Sequence, residues 1–426
     1  MTASVHETES LLFFTLLQLI VMIGAARVMN TACRKVGQPG VVGEIVAGLV
    51  LGPSLFGFFF PEVSHALFGQ KAATPIIVIS QIGLILLMFQ IGMDFEFGHL
   101  KHRRNTKGLV AVTLVSVSVP FGLGLLIGHL SSPILAPAID PVTYSLFFGV
   151  GLAITAVPIL GRILRQFGLT RTEVGVVAIS AAAVNDVIGW LLLAGVSAYA
   201  ASTFSGTHMV IQIGGVLLFT AAGWFLLRPF ADWLIARHPL RDGDLQPNLM
   251  AGIVCLMFVM AICTYELGIF AIFGGFAAGL LFHRHEHFVN AWRRQVGRFV
   301  MVFFLPVFFT FTGLRTNVLG LSTAADMEWL VIILAAAILG KIVPVYIAGR
   351  LCGFDHYQSS ILGSLMNTRA LMELIVLNIG YDMGFIPQNV FTMLVIMAVV
   401  TTIMTGPLLR ALLARWGHAI PVGVDA

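Results

Sequence analysis

Charge is what this chain has least of. Only 10% of its 426 residues are Asp, Glu, Lys or Arg, and 58% are hydrophobic, whereas an ordinary soluble domain is about 25% charged. Such a composition excludes a soluble enzyme and describes a polytopic membrane protein. Cysteine is scarce as well. Cys33, Cys255, Cys263 and Cys352 form no CxxC pair and have no histidine at metal spacing, so neither a disulfide framework nor a zinc site is expected. No Walker-type phosphate loop is present, which argues against ATP as the energy source. The N-terminal MTASVHETES lacks the basic region of a signal peptide, so the first apolar stretch is expected to remain in the protein.

What the chain does have is apolar length. A bilayer is crossed by a helix of about 17–25 apolar residues, and thirteen such runs can be marked: 10–32, 40–58, 75–93, 107–129, 143–165, 173–200, 208–228, 248–266, 268–283, 297–314, 328–350, 357–380 and 389–412. Sorting the basic residues by connection tests that count. Of 24 Lys and Arg, 20 fall on one side, Lys71 and Arg315 on the other, and Lys341 and Arg369 inside spans. Under the positive-inside rule the crowded side is cytoplasmic, which puts the N-terminus outside and the C-terminus inside. With only 415–426 after the last span, no cytoplasmic regulatory domain is expected in this tail.

Against this background a buried charge stands out, because at a helix centre it costs at least about 2.5 kcal/mol and marks a functional position by default. Asp186, next to Asn185 in SAAAVNDVIGWLLLA, lies midway along the sixth span. Lys341 is equally central in the eleventh, and is either a fixed countercharge to Asp186 or a group that exchanges a proton. Arg369 and Glu373 are spaced i,i+4 in the twelfth span and read as a local pair on one helix face. Glu44, in the first turns of the second span, either rims a cytoplasmic funnel or faces headgroups. Two peripheral clusters, His283–His287 and Asp94 with Glu96 beside the KHRR run, read as solvated, paired surface.

Two spans look interrupted. In GVGLAITAVPILGRIL, Pro158 removes a donor and pushes Val157 from helical angles. The twelfth span carries Asn367, Thr368 and Arg369 at its middle. Broken backbone is tolerated in a membrane only where it lines a cavity. The two spans are seven apart and therefore run in opposite directions, as in secondary transporters built from inverted repeats. Half-helix ends and hydroxyls such as Thr155 would then replace a cation's hydration, with Asp186 supplying the charge.

Five segments in order, QPGVVGEIVAGLVLGPS, QIGLILLMFQIGMDFE, ITAVPILGRIL, SAAAVNDVIGWLLLA and MNTRALMELIVLNIG, resemble the membrane domain of the monovalent cation:proton antiporter-2 superfamily over nearly the whole chain, and are most similar to plant cation/proton exchangers and bacterial potassium efflux antiporters. The resemblance implies an all-α membrane protein of 13 transmembrane helices with inverted repeats and two interrupted crossing helices. It also implies a division: scaffold and dimerisation spans at 1–106 and 248–327, core spans at 107–205 and 328–414, and a linker span at 206–247. Asp186 would bind cation and proton alternately, with Asn185 and Thr155 beside it and Lys341 as its basic partner. A homodimer in a bacterial inner membrane is implied, with no cofactor, no enzymatic activity and no nucleic-acid partner. Two departures stand against the pattern. Electrogenic relatives carry two adjacent acids where this chain has Asn185-Asp186, and electroneutral relatives often carry another acid where it has Ala181. The resemblance therefore leaves the partner of Lys341 open. Ala370 also replaces a glycine common in relatives.

The expected function is exchange of Na⁺ or K⁺ for protons by alternating access. A sodium-coupled symporter of an organic anion is the alternative, and a cation channel a weaker one, since no TVGYG-like filter or array of gating arginines is present.

Overall fold

A computed structural model describes residues 2–38, 40–68, 73–93, 103–155, 157–169, 172–200, 214–215, 217–240, 243–267, 271–369 and 371–416. The regular elements among them are helical, as long apolar runs without internal polar alternation require. Nine helices among the described residues are long and apolar enough to cross a membrane, and two more, Pro141–Ala153 and Ala271–Phe282, are apolar but shorter. The structure thus supports a polytopic helical protein without establishing thirteen spans. The fifth and twelfth expected spans are each split in two. Part of the seventh, the start of the ninth, and Lys71, Asp94, Glu96, Lys101, Arg171 and Ala370 lie outside the described residues.

The helices used below are α1 (Thr2–Lys35), α2 (Gly40–Leu51), α3 (Ala73–Met93), α4 (Arg103–Leu135), α5 (Pro141–Ala153), α6 (Val157–Gln166), α7 (Glu173–Ala200), α8 (Pro247–Glu266), α9 (Ala271–Phe282), α10 (Leu305–Leu314), α11 (Ala324–Leu351), α12 (His356–Met366), α13 (Leu371–Asp382) and α14 (Gln388–Trp416). They fall into two compact units. One comprises 1–27, 59–96 and 197–311, the other 28–58, 97–196 and 312–426. Residues 28–58 therefore group with 97–196.

In the first unit, α9 packs on α3 and α8 through glycines. A Cβ at Gly275 would stand 2.6 Å from the Ile85 carbonyl oxygen, so only glycine permits this backbone approach, the small-residue packing usual between membrane helices. The expected solvated histidine cluster is partly engaged: His285 Nε2 lies 2.6 Å from Asp232 Oδ1.

The second unit holds the residues of interest. Three of its helices are begun by side-chain caps that satisfy otherwise orphaned N–H groups. Asp140 caps α5, with Pro141 in the first turn. Thr323 and Asp326 form a capping box on α11, and Asp355 and Gln358 form another on α12. Against α4, α5 and α11 pack closely, and α14 lies against α11, α12 and α13.

The first interruption falls between Ala153 and Val157, slightly before the expected Val157–Pro158. Ile154 is extended, with φ −72° and ψ 146°. Helix resumes at Val157, so Pro158 occupies the first turn of α6, where its missing N–H is no loss. The second interruption falls between Met366 and Leu371.

Candidate functional site

Each interruption leaves the last carbonyls of one half-helix and the first N–H groups of the next without helical partners. Buried lysine and arginine side chains meet the carbonyls of α5. Lys341, 0% exposed, donates from Nζ to Ala153 O at 2.5 Å, to Thr155 Oγ1 at 2.7 Å and to Ser116 O at 2.8 Å. Arg369, also 0% exposed, donates from its guanidinium to Gly151 O at 3.2 Å and Ala337 O at 3.5 Å. Two cations thus stand at the C-terminal end of α5, where the helix dipole favours positive charge. The partner left open for Lys341 is a cage of three neutral oxygens.

The two interruptions meet. Thr155 Oγ1 donates to Met366 O, the last residue of α12, at 3.3 Å. The second break is also held by α14: Asn367 Nδ2 donates to Thr401 O at 3.4 Å, and the Arg369 backbone N–H to Thr402 Oγ1 at 3.3 Å. Glu373 sits in the first turn of α13, where an N-terminal dipole favours an anion, with Oε2 at 3.6 Å from Arg369 Nη1. The Arg369–Glu373 pair is real, but the expectation of a purely local pair on one helix face needs correction. Arg369 lies in the non-helical break, and its guanidinium reaches α5 and α11.

Asn185 and Asp186, 1% and 4% exposed, lie at the middle of α7. Asn185 Nδ2 donates to Ser116 Oγ on α4 at 2.9 Å. Asp186, Glu373 and Arg369 all lie within electrostatic reach of Lys341. Gly189, one turn beyond Asp186, brings the first break against α7: a Cβ there would stand 2.9 Å from Ile154 Cγ1.

Thr155, Asn185, Asp186, Lys341, Asn367, Thr368, Arg369 and Glu373 are therefore buried in one unit around two touching breaks. Pro158 contributes through the backbone, as the start of α6. Glu44 stands apart. It is 3% exposed and accepts from Asn30 Nδ2 at 2.6 Å, so it does not face headgroups. Ser116 escaped sequence reading because an isolated serine in an apolar run carries no periodic or charge signal.

Charged side chains buried where two membrane helices lose their own hydrogen bonding mark a membrane transport protein. The family described as "Sodium/hydrogen exchanger, transmembrane" matches residues 19–415, and the chain belongs to it, within the cation:proton antiporters. This is a family of transporters, not enzymes. The chain is 35% identical to the Na(+)/H(+) antiporter NhaS4 of Synechocystis over 94% of its own length and 97% of that protein's. It is 33% identical to the Cation/H(+) antiporter 17 of Arabidopsis thaliana over 95% of its length, but spans only 49% of that longer relative. Its fold is similar to that of the sodium proton antiporter MjNhaP1 from Methanocaldococcus jannaschii, with TM-score 0.65, 15% identity, and coverage of 94% of this chain and 99% of that one.

Proposed function

We propose that the protein exchanges a monovalent cation, Na⁺ or K⁺, for protons by alternating access, with Asp186 as the shared site. The observation that carries this reading is a carboxylate 4% exposed at the centre of a membrane helix, within electrostatic reach of Lys341, which itself binds the first of two touching helix breaks. An ionised carboxylate buried in a membrane helix is costly, and either a proton or a cation lowers that cost. The two ligands therefore compete for one site, and movement only when that site is filled couples their fluxes.

Asn185 and Thr155 contribute oxygens beside it. Lys341, Arg369 and Glu373 act as fixed charges, and Asn367, Thr368 and Pro158 shape the breaks. The same reading includes thirteen spans with inverted repeats, a scaffold at 1–106 and 248–327 moving against a core at 107–205 and 328–414, and a homodimer in a bacterial inner membrane with its N-terminus outside. Relatives named as sodium/proton or cation/proton antiporters support it. Purified protein in proteoliposomes should dissipate a pH gradient on addition of Na⁺ or K⁺, and Asp186→Asn should abolish the response. Cation-dependent exchange that survives Asp186→Asn would sink the proposal.

A further inference from the structure

Ser116 sits in the apolar run LVAVTLVSVSVPF of α4, is 0% exposed, and is the hub of the contacts just described. Its hydroxyl donates to Thr113 O at 3.1 Å, its Oγ accepts from Asn185 Nδ2 at 2.9 Å, and its carbonyl accepts from Lys341 Nζ at 2.8 Å. A serine hydroxyl has one proton. With that proton directed at Thr113, the oxygen facing Asn185 can only accept, and the amide must present its nitrogen. The Asn185 Oδ1 is then left buried without a hydrogen-bond partner. Turned over, the amide would set Oδ1 against the lone pairs of the Ser116 oxygen and lose the hydrogen bond between them.

An unmet buried oxygen in a native site calls for an explanation, and amide or carbonyl oxygens are the ligands that suit a hard monovalent cation in place of water. The oxygen in question belongs to the residue next to Asp186. The geometry points to Ser116 as a positioning residue: it locks the Asn185 amide so that Oδ1, and not the NH₂ group, is offered to the transported cation beside Asp186. This inference rests on the reading of Asp186 as the exchange site. Without the Ser116 hydroxyl the amide turns freely, and in half of its orientations it presents protons to a cation.

The test is cation-dependent exchange in proteoliposomes, read as apparent KM and maximal rate for Na⁺ and K⁺. Loss of one such hydrogen bond should raise the apparent KM of Ser116→Ala about threefold to tenfold, with a much smaller change in maximal rate. Ser116→Thr, which keeps the hydroxyl, should restore it. Ser116→Cys, similar in size and a weak acceptor, provides a second variant should alanine fail to accumulate, and its KM should fall between the two. In an Asn185→Ala background, Ser116→Ala should change KM no further, since both variants remove one coupled arrangement. A KM for Ser116→Ala or Ser116→Cys equal to that of the unaltered protein, or additive losses in the double variant, would overturn the inference while leaving Asp186 as the exchange site. Absence of exchange by the unaltered protein would remove the Asp186 reading, and this one with it.

Discussion

Lys341 Nζ donates to Thr155 Oγ1 at 2.7 Å, and the same hydroxyl donates onward to Met366 O at 3.3 Å. One threonine thus links a buried ammonium on α11, bound to the first helix break, to the backbone of the second. Thr155 has a single proton to give. Because the ammonium can only donate, the direction of the whole chain is fixed: Lys341 to Thr155 to Met366.

Removing the ammonium tests that relay. Lys341→Met is close in length but donates nothing, so Ala153 O and Ser116 O lose a donor in a place that water does not reach. At about 1–3 kcal/mol for an orphaned buried polar group, the variant should unfold at a lower temperature than the unaltered protein. Lys341→Arg should not rescue it, because a planar fork does not match three oxygens converging on one nitrogen. Thermal unfolding in detergent, followed by tryptophan fluorescence, measures both. An unchanged midpoint for Lys341→Met would show that the cage contributes nothing to stability.

Much of this was legible in the sequence because membrane insertion penalises charge so strongly. Asp186, Lys341, Arg369 and Glu373 were identifiable simply as ionisable groups in apolar runs, and the structure buries all four in one unit. The breaks were harder to read. Pro120, Pro133, Pro344 and Pro407 all lie inside unbroken helices, and the second break contains no described proline, so proline alone does not distinguish a kink from an interruption. Apart from the Arg369–Glu373 pair, what Lys341 and Arg369 bind was not legible. Their other partners are mostly backbone carbonyls, which every residue carries, and Ser116 stands out only where α7 and α11 both reach it on α4.

Gly189 tests how closely the first break must lie to α7. Gly189→Ala places a methyl carbon 2.9 Å from Ile154 Cγ1, inside contact distance, and such overpacking typically costs about 1–3 kcal/mol. The break carrying Thr155 would be pushed from the helix carrying Asp186, so exchange should fall although no charge has changed. Ile154→Ala removes the clashing atom. The double variant should therefore lose less stability than the two single losses added together, as measured by thermal unfolding alongside exchange rates. Strict additivity would mean that Gly189 and Ile154 are not the point of contact.

Asp140 supplies a pH test outside the membrane-spanning helices. It accepts from the backbone N–H of Thr143 at 2.8 Å and from the Thr143 hydroxyl at 2.8 Å, and these bonds, the backbone one foremost, hold its carboxyl below the ordinary value of 3.8. A carboxyl whose folded value is depressed contributes stability above its unfolded value, and loses that contribution as pH falls through the folded one. Asp140→Ala should therefore lower the unfolding temperature by about 1–2 °C near neutral pH, and the gap to the unaltered protein should narrow as the pH drops below about 4. Asp140→Asn keeps a neutral cap at the start of α5, so its gap should be smaller at neutral pH, but because asparagine does not titrate either, that gap should shift by the same amount over the same range. If the alanine gap were as wide in acid as at neutral pH, the cap on α5, the half-helix that ends at Lys341, would not depend on the charge of Asp140.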